Sequence, residues 1–197
     1  MAHFSIQAGK LKHLQLIFNP DKNTRPTKSI VRGSFFDTLG AEVVGSVFIE
    51  AFGGCGSMGI EALSRGAHKA IFYEIDTKAY RILERNLALV HKREPKLQFY
   101  SVNADFFSQH LQSFIVQDSR VILYLDPPFC IRAGQADIYE RLITKIRNFS
   151  KGSENNITLV AFEHWSEYNM PLTIGRYRQL KTRQFGKSTL TYYRLKD

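Results

Sequence analysis

Two stretches of the sequence combine residue types and spacings suited to chemistry. The first, Glu50-Ala51-Phe52-Gly53-Gly54-Cys55-Gly56-Ser57-Met58-Gly59, contains Gly54-x-Gly56-x-x-Gly59. Glycines at that spacing permit a tight turn from a strand into a helix, and they let a ligand and the helix approach the backbone closely. The acidic residue that completes the pattern belongs about 20 positions on, at the end of the next strand, and Glu74 stands there. Its carboxylate can accept both hydroxyls of a ribose. A turn needing glycine for conformation alone would look the same without Glu74; with it, a nucleoside cofactor is the stronger expectation. The second stretch, Leu125-Asp126-Pro127-Pro128-Phe129, closes an apolar run. Consecutive prolines remove two N–H donors and fix φ. That leaves stiffly held carbonyls beside the Asp126 carboxylate, with a flat ring at Phe129.

A planar base carrying an exocyclic –NH₂ group matches the second stretch. One N–H donates to Asp126, the other to the carbonyl of Pro127, and the ring stacks on Phe129. The lone pair of such an amine is delocalised, which makes it a poor nucleophile. Gripping both hydrogens lets the nitrogen move toward tetrahedral geometry and aims its lone pair at an electrophile. Asp126 also stabilises the positive charge that develops on nitrogen and can accept the surplus proton. The cofactor follows from charge. A nicotinamide dinucleotide brings a pyrophosphate, which favours a free helix N-terminus and gains nothing from an acid such as Glu50. S-adenosyl-L-methionine brings an amino-acid zwitterion and a sulfonium cation, which favour nearby carboxylates. Asn103-Ala104-Asp105-Phe106 adds a polar group where the adenine amino group would fall, although Asp105 suits a helix N-cap equally well.

The elements that must position these groups are legible as alternating apolar runs and amphipathic stretches. Strands are expected at Val44–Phe52, Ala70–Ile75, Leu97–Val102, Val121–Leu125 and Ile157–Phe162. Helices are expected near Ser57–Arg65, Thr77–His91 and Asp137–Ile146; in the second of these Tyr80, Leu83, Leu87 and Val90 recur at helical spacing. Strands alternating with helices imply parallel βαβ units and a doubly wound sheet. The end differs: Tyr177–Gln184 and Thr189–Leu195, joined around Gly186-Lys187-Ser188, read as an antiparallel hairpin. Ahead of the first strand, Leu14, Leu16 and Phe18 alternate like a strand, and Arg25-Pro26-Thr27 leads into a helix over Lys28–Leu39 with Thr27 as N-cap. Residues 1–39 therefore form an extension packed on a domain spanning 40–197.

The chain of 197 residues suits one domain and buries a core without disulfide or metal staples. Its net charge is +9, distributed as +4 over residues 1–39, −1 over 40–172 and +6 over 173–197. Positive ends around a near-neutral middle fit a polyanion, whose counterions are released on binding. Two cysteines and six scattered histidines give neither a disulfide framework nor a metal-ligand spacing. No apolar run approaches the roughly 20 residues of a membrane-spanning helix. The expectation is a monomeric, cytoplasmic protein with no metal and no membrane contact.

Asp126-Pro127-Pro128-Phe129 resembles the signature of amino-methyltransferases acting on adenine, cytosine or guanine. Nearly end to end, the chain resembles the bacterial 16S ribosomal RNA guanine-N2 methyltransferase family of the RsmD type. The segments that carry the resemblance are Arg25-Pro26-Thr27 with Val31-Arg32, Phe52–Gly59, Glu61-Ala62-Leu63-Ser64-Arg65-Gly66-Ala67, Glu74-Ile75-Asp76, Asn86-Leu87, Asn103-Ala104-Asp105 and Asp126–Phe129. The resemblance implies a Rossmann-like class I methyltransferase fold: a mostly parallel seven-stranded sheet with an antiparallel C-terminal strand and a short N-terminal extension. It implies that Glu50, Phe52, Gly53, Gly54, Gly56, Gly59, Glu74, Ile75, Ala104 and Asp105 hold S-adenosyl-L-methionine, and that Asp126, Pro127, Pro128 and Phe129 hold the guanine. Ribosomal RNA, or a small-subunit assembly particle, would be met by Arg25, Thr27 and Arg32, and by the basic tail at Arg176, Arg178, Lys181 and Lys187. Glu50 stands where the family usually has aspartate, and Gly54-Cys55 where Ala-Ser is commoner.

Three rivals are an adenine-N6 methyltransferase acting on DNA or RNA, a nicotinamide-dependent oxidoreductase, and an RNA-binding protein without catalysis. Gly186-Lys187-Ser188-Thr189 lacks the upstream glycine of a phosphate-binding loop, since position 181 is lysine. Cys55 and Cys130 read as small filler rather than nucleophiles, and Trp165 and Tyr168 as packed aromatics.

Overall fold

The computed structural model describes residues 2–20, 27–108, 120–128, 138–149 and 157–196. They fall into two compact units, residues 1–109 and 110–197.

The first unit opens with an antiparallel hairpin, Ala2–Ser5 (β1) on Gln15–Phe18 (β2), with His3 opposite Ile17. The helix Ser29–Leu39 (α1) follows. Its N-cap is Lys28, which makes no side-chain cap, and Thr27 is buried ahead of it. The expected cap at Thr27 is thus displaced; the helix starts one residue later and takes its first bond from Arg32 N–H to the Lys28 carbonyl, at 2.9 Å. Three parallel strands come next, Val47–Glu50 (β3), Lys69–Tyr73 (β4) and Gln98–Val102 (β5), with β4 between the other two. β3 begins three residues later than its apolar run, because Gly45, at φ +74°, turns the chain and leaves Val44 exposed. The helices Ser57–Ser64 (α2) and Thr77–Arg93 (α3) connect these strands. Asp76 caps α3, accepting the N–H groups of Lys78 and Ala79, each at 2.8 Å.

The extension shares this unit's core. Ile6, Leu11 and Leu16 are buried with Ile60 and Leu63 of α2, Phe72 of β4, and Leu83, Leu87 and Val90 of α3. Glu61, fully buried on α2, fixes the seam. Its Oε2 accepts the Gln7 N–H at 2.9 Å and its Oε1 the Ala8 N–H at 3.1 Å. Arg32 Nε lies 3.4 Å from Oε2, and Arg65 Nε lies 2.8 Å from Oε1. Arg32 also donates to the Ser5 carbonyl at 2.8 Å, and its guanidinium sits 5.1 Å above the Phe4 ring. Expected as an RNA contact, Arg32 is 2% exposed and turned inward. A buried carboxylate at that position needs a cation, and Arg32 supplies it.

The second unit pairs Val121–Leu125 (β6) parallel with Ile157–Trp165 (β7), Leu125 lying opposite Phe162. The helix Ile138–Phe149 (α4) buries Tyr139, Leu142, Ile143 and Ile146. Thr173–Ile174 (β8), Tyr177–Phe185 (β9) and Ser188–Leu195 (β10) complete the unit in the order β6-β7-β10-β9-β8, with β7, β10, β9 and β8 antiparallel in turn. The C-terminal hairpin is thus present as expected, turning at Gly186 with φ +65°. Among the described residues three further elements have no counterpart in the sequence pattern: the N-terminal strand β1, the short 3-10 helix Gly40–Val43 and the two-residue β8. Among the described residues no helix is long and apolar enough to cross a membrane.

Glu61→Gln removes the charge from a position met by two arginines and two backbone N–H groups. Breaking a buried pair costs about 3–5 kcal/mol, so urea denaturation is expected to show a loss of that order.

Candidate functional site

The turn between β3 and α2 is held at successive backbone groups. Gly53 N–H donates to the Tyr73 carbonyl at 2.7 Å, Gly54 N–H to Glu74 Oε2 at 2.7 Å, and Gly56 N–H to the Gly53 carbonyl at 2.7 Å. Gly56 is the N-cap of α2 at φ +81°, and an added Cβ there would lie 2.6 Å from Leu83 Cδ1. Gly59 faces Phe72, where a Cβ would fall 2.3 Å from the ring. Gly54 differs: at φ +51° a Cβ would meet nothing within 4 Å. Two glycines therefore serve packing, and the third opens onto free space beside a carboxylate.

That carboxylate is Glu74, just past the end of β4. Oε2 takes the Gly54 N–H and Oε1 takes the Asp76 N–H at 2.8 Å. A carboxylate has about four acceptor positions, so these bonds leave room for a further donor. Burial raises its pKa above the usual carboxylate value, against the pull of the backbone N–H groups of Asp76, Gly54 and Ile75. Next to it Ile75 is 64% exposed, an apolar face beside an acceptor. Across the ends of β4 and β5, Asn103 Nδ2 donates to the Glu74 carbonyl at 2.7 Å and to that of Ile75 at 3.2 Å. Ala104 and Asp105 are half-buried, and Asp105 Oδ1 accepts the Phe107 N–H at 3.0 Å, capping the helical turn Phe106–Ser108. Phe52 is half-buried, its ring 6.2 Å from that of Phe106. An open turn, a ribose-suited carboxylate and an adjacent apolar residue are the features a nucleoside cofactor such as S-adenosyl-L-methionine requires, so the residues present fit it.

The sequence pattern has Glu50 offering its carboxylate to the cofactor's cationic end. Instead it is 3% exposed and points beneath α2, accepting the Gly59 N–H at 2.8 Å and the Met58 N–H at 3.3 Å. Free N–H groups at a helix N-terminus attract an acid, and they draw Glu50 inward. Desolvation pushes its pKa up to about 8. Cys55, also buried, has its thiol pushed up to about 12 by burial, which suits filler and not a nucleophile.

In the second unit Asp126 follows directly on β6 and is half-buried, Pro127 is buried and Pro128 exposed. Phe129 and Cys130 lie outside the described residues, as do Arg25 and Pro26. β7 runs three residues beyond Phe162, and its Glu163 accepts a hydrogen bond from Tyr124 of β6 at 2.7 Å, both side chains buried. Sequence reasoning does not reach this brace at the root of Asp126; the signal available is the Glu163-His164 pair breaking an apolar strand. Tyr168 stacks on Tyr139 with centroids 4.5 Å apart and donates to Glu140 at 2.5 Å, while Trp165 N–H donates to the Tyr139 hydroxyl at 3.0 Å. Tyr168 belongs to packing, as the sequence suggests; Trp165 is half-buried. In the basic tail Arg176, Arg178 and Lys187 are exposed and Lys181 half-exposed. Among the described residues no three His, Cys, Asp or Glu side chains gather as a metal site would require.

A family model described as Conserved hypothetical protein 95 matches residues 4–194. The chain is 29% identical over 172 residues to YlbH of Bacillus subtilis, covering 87% of this chain and 88% of that protein. It is 31% identical over 128 residues to the ribosomal RNA small subunit methyltransferase D of Haemophilus influenzae, covering 63% of each. Among solved structures, yhhF of Escherichia coli superposes over 99% of both chains with a TM-score of 0.74 at 24% identity. An RNA methyltransferase of Salinibacter ruber, determined in complex with S-adenosyl-L-homocysteine, gives a TM-score of 0.58 at 16% identity over 88% of this chain and 95% of that one. These likenesses identify the class I methyltransferase fold.

The raised pKa of Glu50 has a consequence for stability. An acid whose folded pKa lies above its ordinary 4.5 contributes stability that is full below 4.5 and is lost as pH rises toward about 8. Melting temperatures of the wild type and Glu50→Gln, compared from pH 4.5 to 8, are expected to show the wild type falling relative to the variant.

Proposed function

The chain belongs to the family described as Conserved hypothetical protein 95, the RsmD-type ribosomal RNA methyltransferases, and on that premise we propose that it transfers a methyl group from S-adenosyl-L-methionine to the exocyclic N2 amine of a guanine in 16S ribosomal RNA. The observation that carries the cofactor half is the pairing of Glu74 with the open Gly54 turn, where the Gly54 N–H holds one carboxylate oxygen at 2.7 Å and leaves acceptor positions for a ribose. When bound, the cofactor supplies an electrophilic methyl group on a sulfonium.

The chain's own residues divide the work. Gly54 keeps a side chain away from the ligand, Gly53 and Gly56 let the turn pack closely on β4 and α3, Glu74 accepts the ligand's ribose hydroxyls, and Ile75 covers the adenine. Ala104 and Asp105 border the adenine, and Glu50 steadies the turn from below. Asp126 accepts one amine hydrogen and the Pro127 carbonyl the other. The nitrogen gains a methyl group and loses one proton, which Asp126 takes up. Pro128 stiffens the loop, and Phe129 stacks on the base. Arg25 on the extension, with Arg176, Arg178, Lys181 and Lys187 on the tail, meets phosphates; Thr27, expected among them, is buried ahead of α1 and does not. A guanine is favoured over adenine by the family and by no single residue, so the product must decide.

The decisive experiment digests ribosomal RNA incubated with the protein and labelled cofactor, then identifies the labelled nucleoside. N2-methylguanosine is expected, and N6-methyladenosine would replace the guanine assignment. Asp126→Ala is expected to lower transfer at least 100-fold, the order associated with a positioned acid–base group, while calorimetric binding of S-adenosyl-L-homocysteine stays unchanged. In a separate titration, the triple variant Arg176→Gln, Arg178→Gln, Lys181→Gln should bind RNA more weakly. For every phosphate that the variant no longer neutralises, the slope of log affinity against log salt should fall by about 0.7–0.9. An unaltered slope would remove the tail from the RNA surface.

A further inference from the structure

Asn86, on α3, is fully buried, and nothing in the transfer chemistry uses it. Its carboxamide is committed at both ends. Nδ2 donates to the Cys55 carbonyl at 2.8 Å and to the Ile17 carbonyl at 2.8 Å, while Oδ1 accepts the Ile17 N–H at 2.9 Å. Both amide hydrogens are thereby used, one on each partner. Toward Ile17 the side chain behaves like a further strand residue, bonding the edge of β2 opposite to that paired with His3. Toward Cys55 it fixes a peptide group inside the glycine turn, between the open Gly54 and the capping Gly56.

A single rigid side chain therefore joins the cofactor turn to the N-terminal extension, two segments 38 residues apart in the sequence. We infer that Asn86 is a positioning residue that couples occupancy of the glycine turn to the order of the extension, so that a filled turn tightens β2. This rests on the cofactor reading above. The physical reason is that both contacts share one amide plane: a ligand that restrains the Cys55 carbonyl restrains the plane, and the plane restrains both polar groups of Ile17. A coupling of this kind is reciprocal, so ordering the extension also favours cofactor binding. RNA contacts on the extension would then promote retention of the cofactor.

Residue-resolved amide hydrogen exchange on the full chain, with and without saturating S-adenosyl-L-homocysteine, tests it. The Ile17 N–H reports on Asn86. The Ile6 N–H, bonded to the Leu14 carbonyl at 3.1 Å, lies in the same extension away from it and reports on general stabilisation. The ligand is expected to slow Ile17 at least about five-fold more than Ile6, the lower end of ordinary coupling between sites. Asn86→Asp keeps an acceptor for Ile17 but loses both donors, and should abolish the difference while calorimetry still detects the ligand. Equal slowing at Ile17 and Ile6 in the wild type overturns the inference, as does a difference that survives in Asn86→Asp. The wild-type comparison decides the matter even if the variant fails to fold. Absence of any ligand binding by calorimetry would overturn the cofactor reading and this coupling together, whereas binding without differential protection overturns the coupling alone.

Discussion

Between β3 and α2 the backbone makes a turn in which consecutive peptide groups are tied to different parts of the first unit: Gly53 to β4, Gly54 to Glu74, Cys55 to Asn86 on α3, and Gly56 back to Gly53. Buried backbone groups must find partners, and here three of the four partners, Tyr73, Glu74 and Asn86, come from outside the turn. The turn consequently cannot relax without disturbing β4, α3 and the start of α2. What Gly54 leaves open is free space bounded by a stiff frame, the condition for binding a ligand without first having to order the site.

Beneath the turn lies a second layer of buried polar groups. Glu50 accepts the N-terminal N–H groups of α2, and Glu61, near the other end of the same helix, accepts backbone N–H groups of the extension and meets two arginines. The two carboxyls differ in environment. Glu61 has cations in contact, whereas Glu50 is bonded by backbone N–H groups and is pushed toward its neutral form mainly by desolvation. One helix is thus fastened at both ends by acids, one by charge and one largely by hydrogen bonding. The extension, although it precedes every strand of the parallel ladder, is an integral part of this unit's core.

The second unit meets a different requirement. A strand that ends in Asp-Pro-Pro gives up two backbone donors, so its terminus needs support from elsewhere. β7 supplies it by outrunning β6 and accepting the Tyr124 hydroxyl on Glu163, with Trp165 tied in turn to Tyr139 of α4. The proline pair fixes local backbone shape and the neighbouring strand fixes its root.

Periodicity and turn chemistry are sufficient for the strands β3 to β7, the helices α2 to α4 and the terminal hairpin, because each is specified by residues close in sequence. The glycine spacing and Glu74 are legible for the same reason, since a βα turn and the strand after it form a local unit. Side-chain direction is not. Glu50 and Arg32 both look available for ligands, and both are turned inward by partners elsewhere in the fold: α2 backbone in one case, Glu61 in the other. Thr27 has the composition of a cap but yields to a helix starting one residue later. β1 and β8 are short strands whose pairing, not their composition, makes them strands. Asn86 stands in plain view as one polar residue on an amphipathic helix, and only folding brings Ile17 and Cys55 to its two ends. Sequence alone determined the alternation of elements and the place of the chemistry-bearing turns; the tertiary structure decided which charges are satisfied inside, because a buried ion or amide chooses among partners that are distant until the chain has folded.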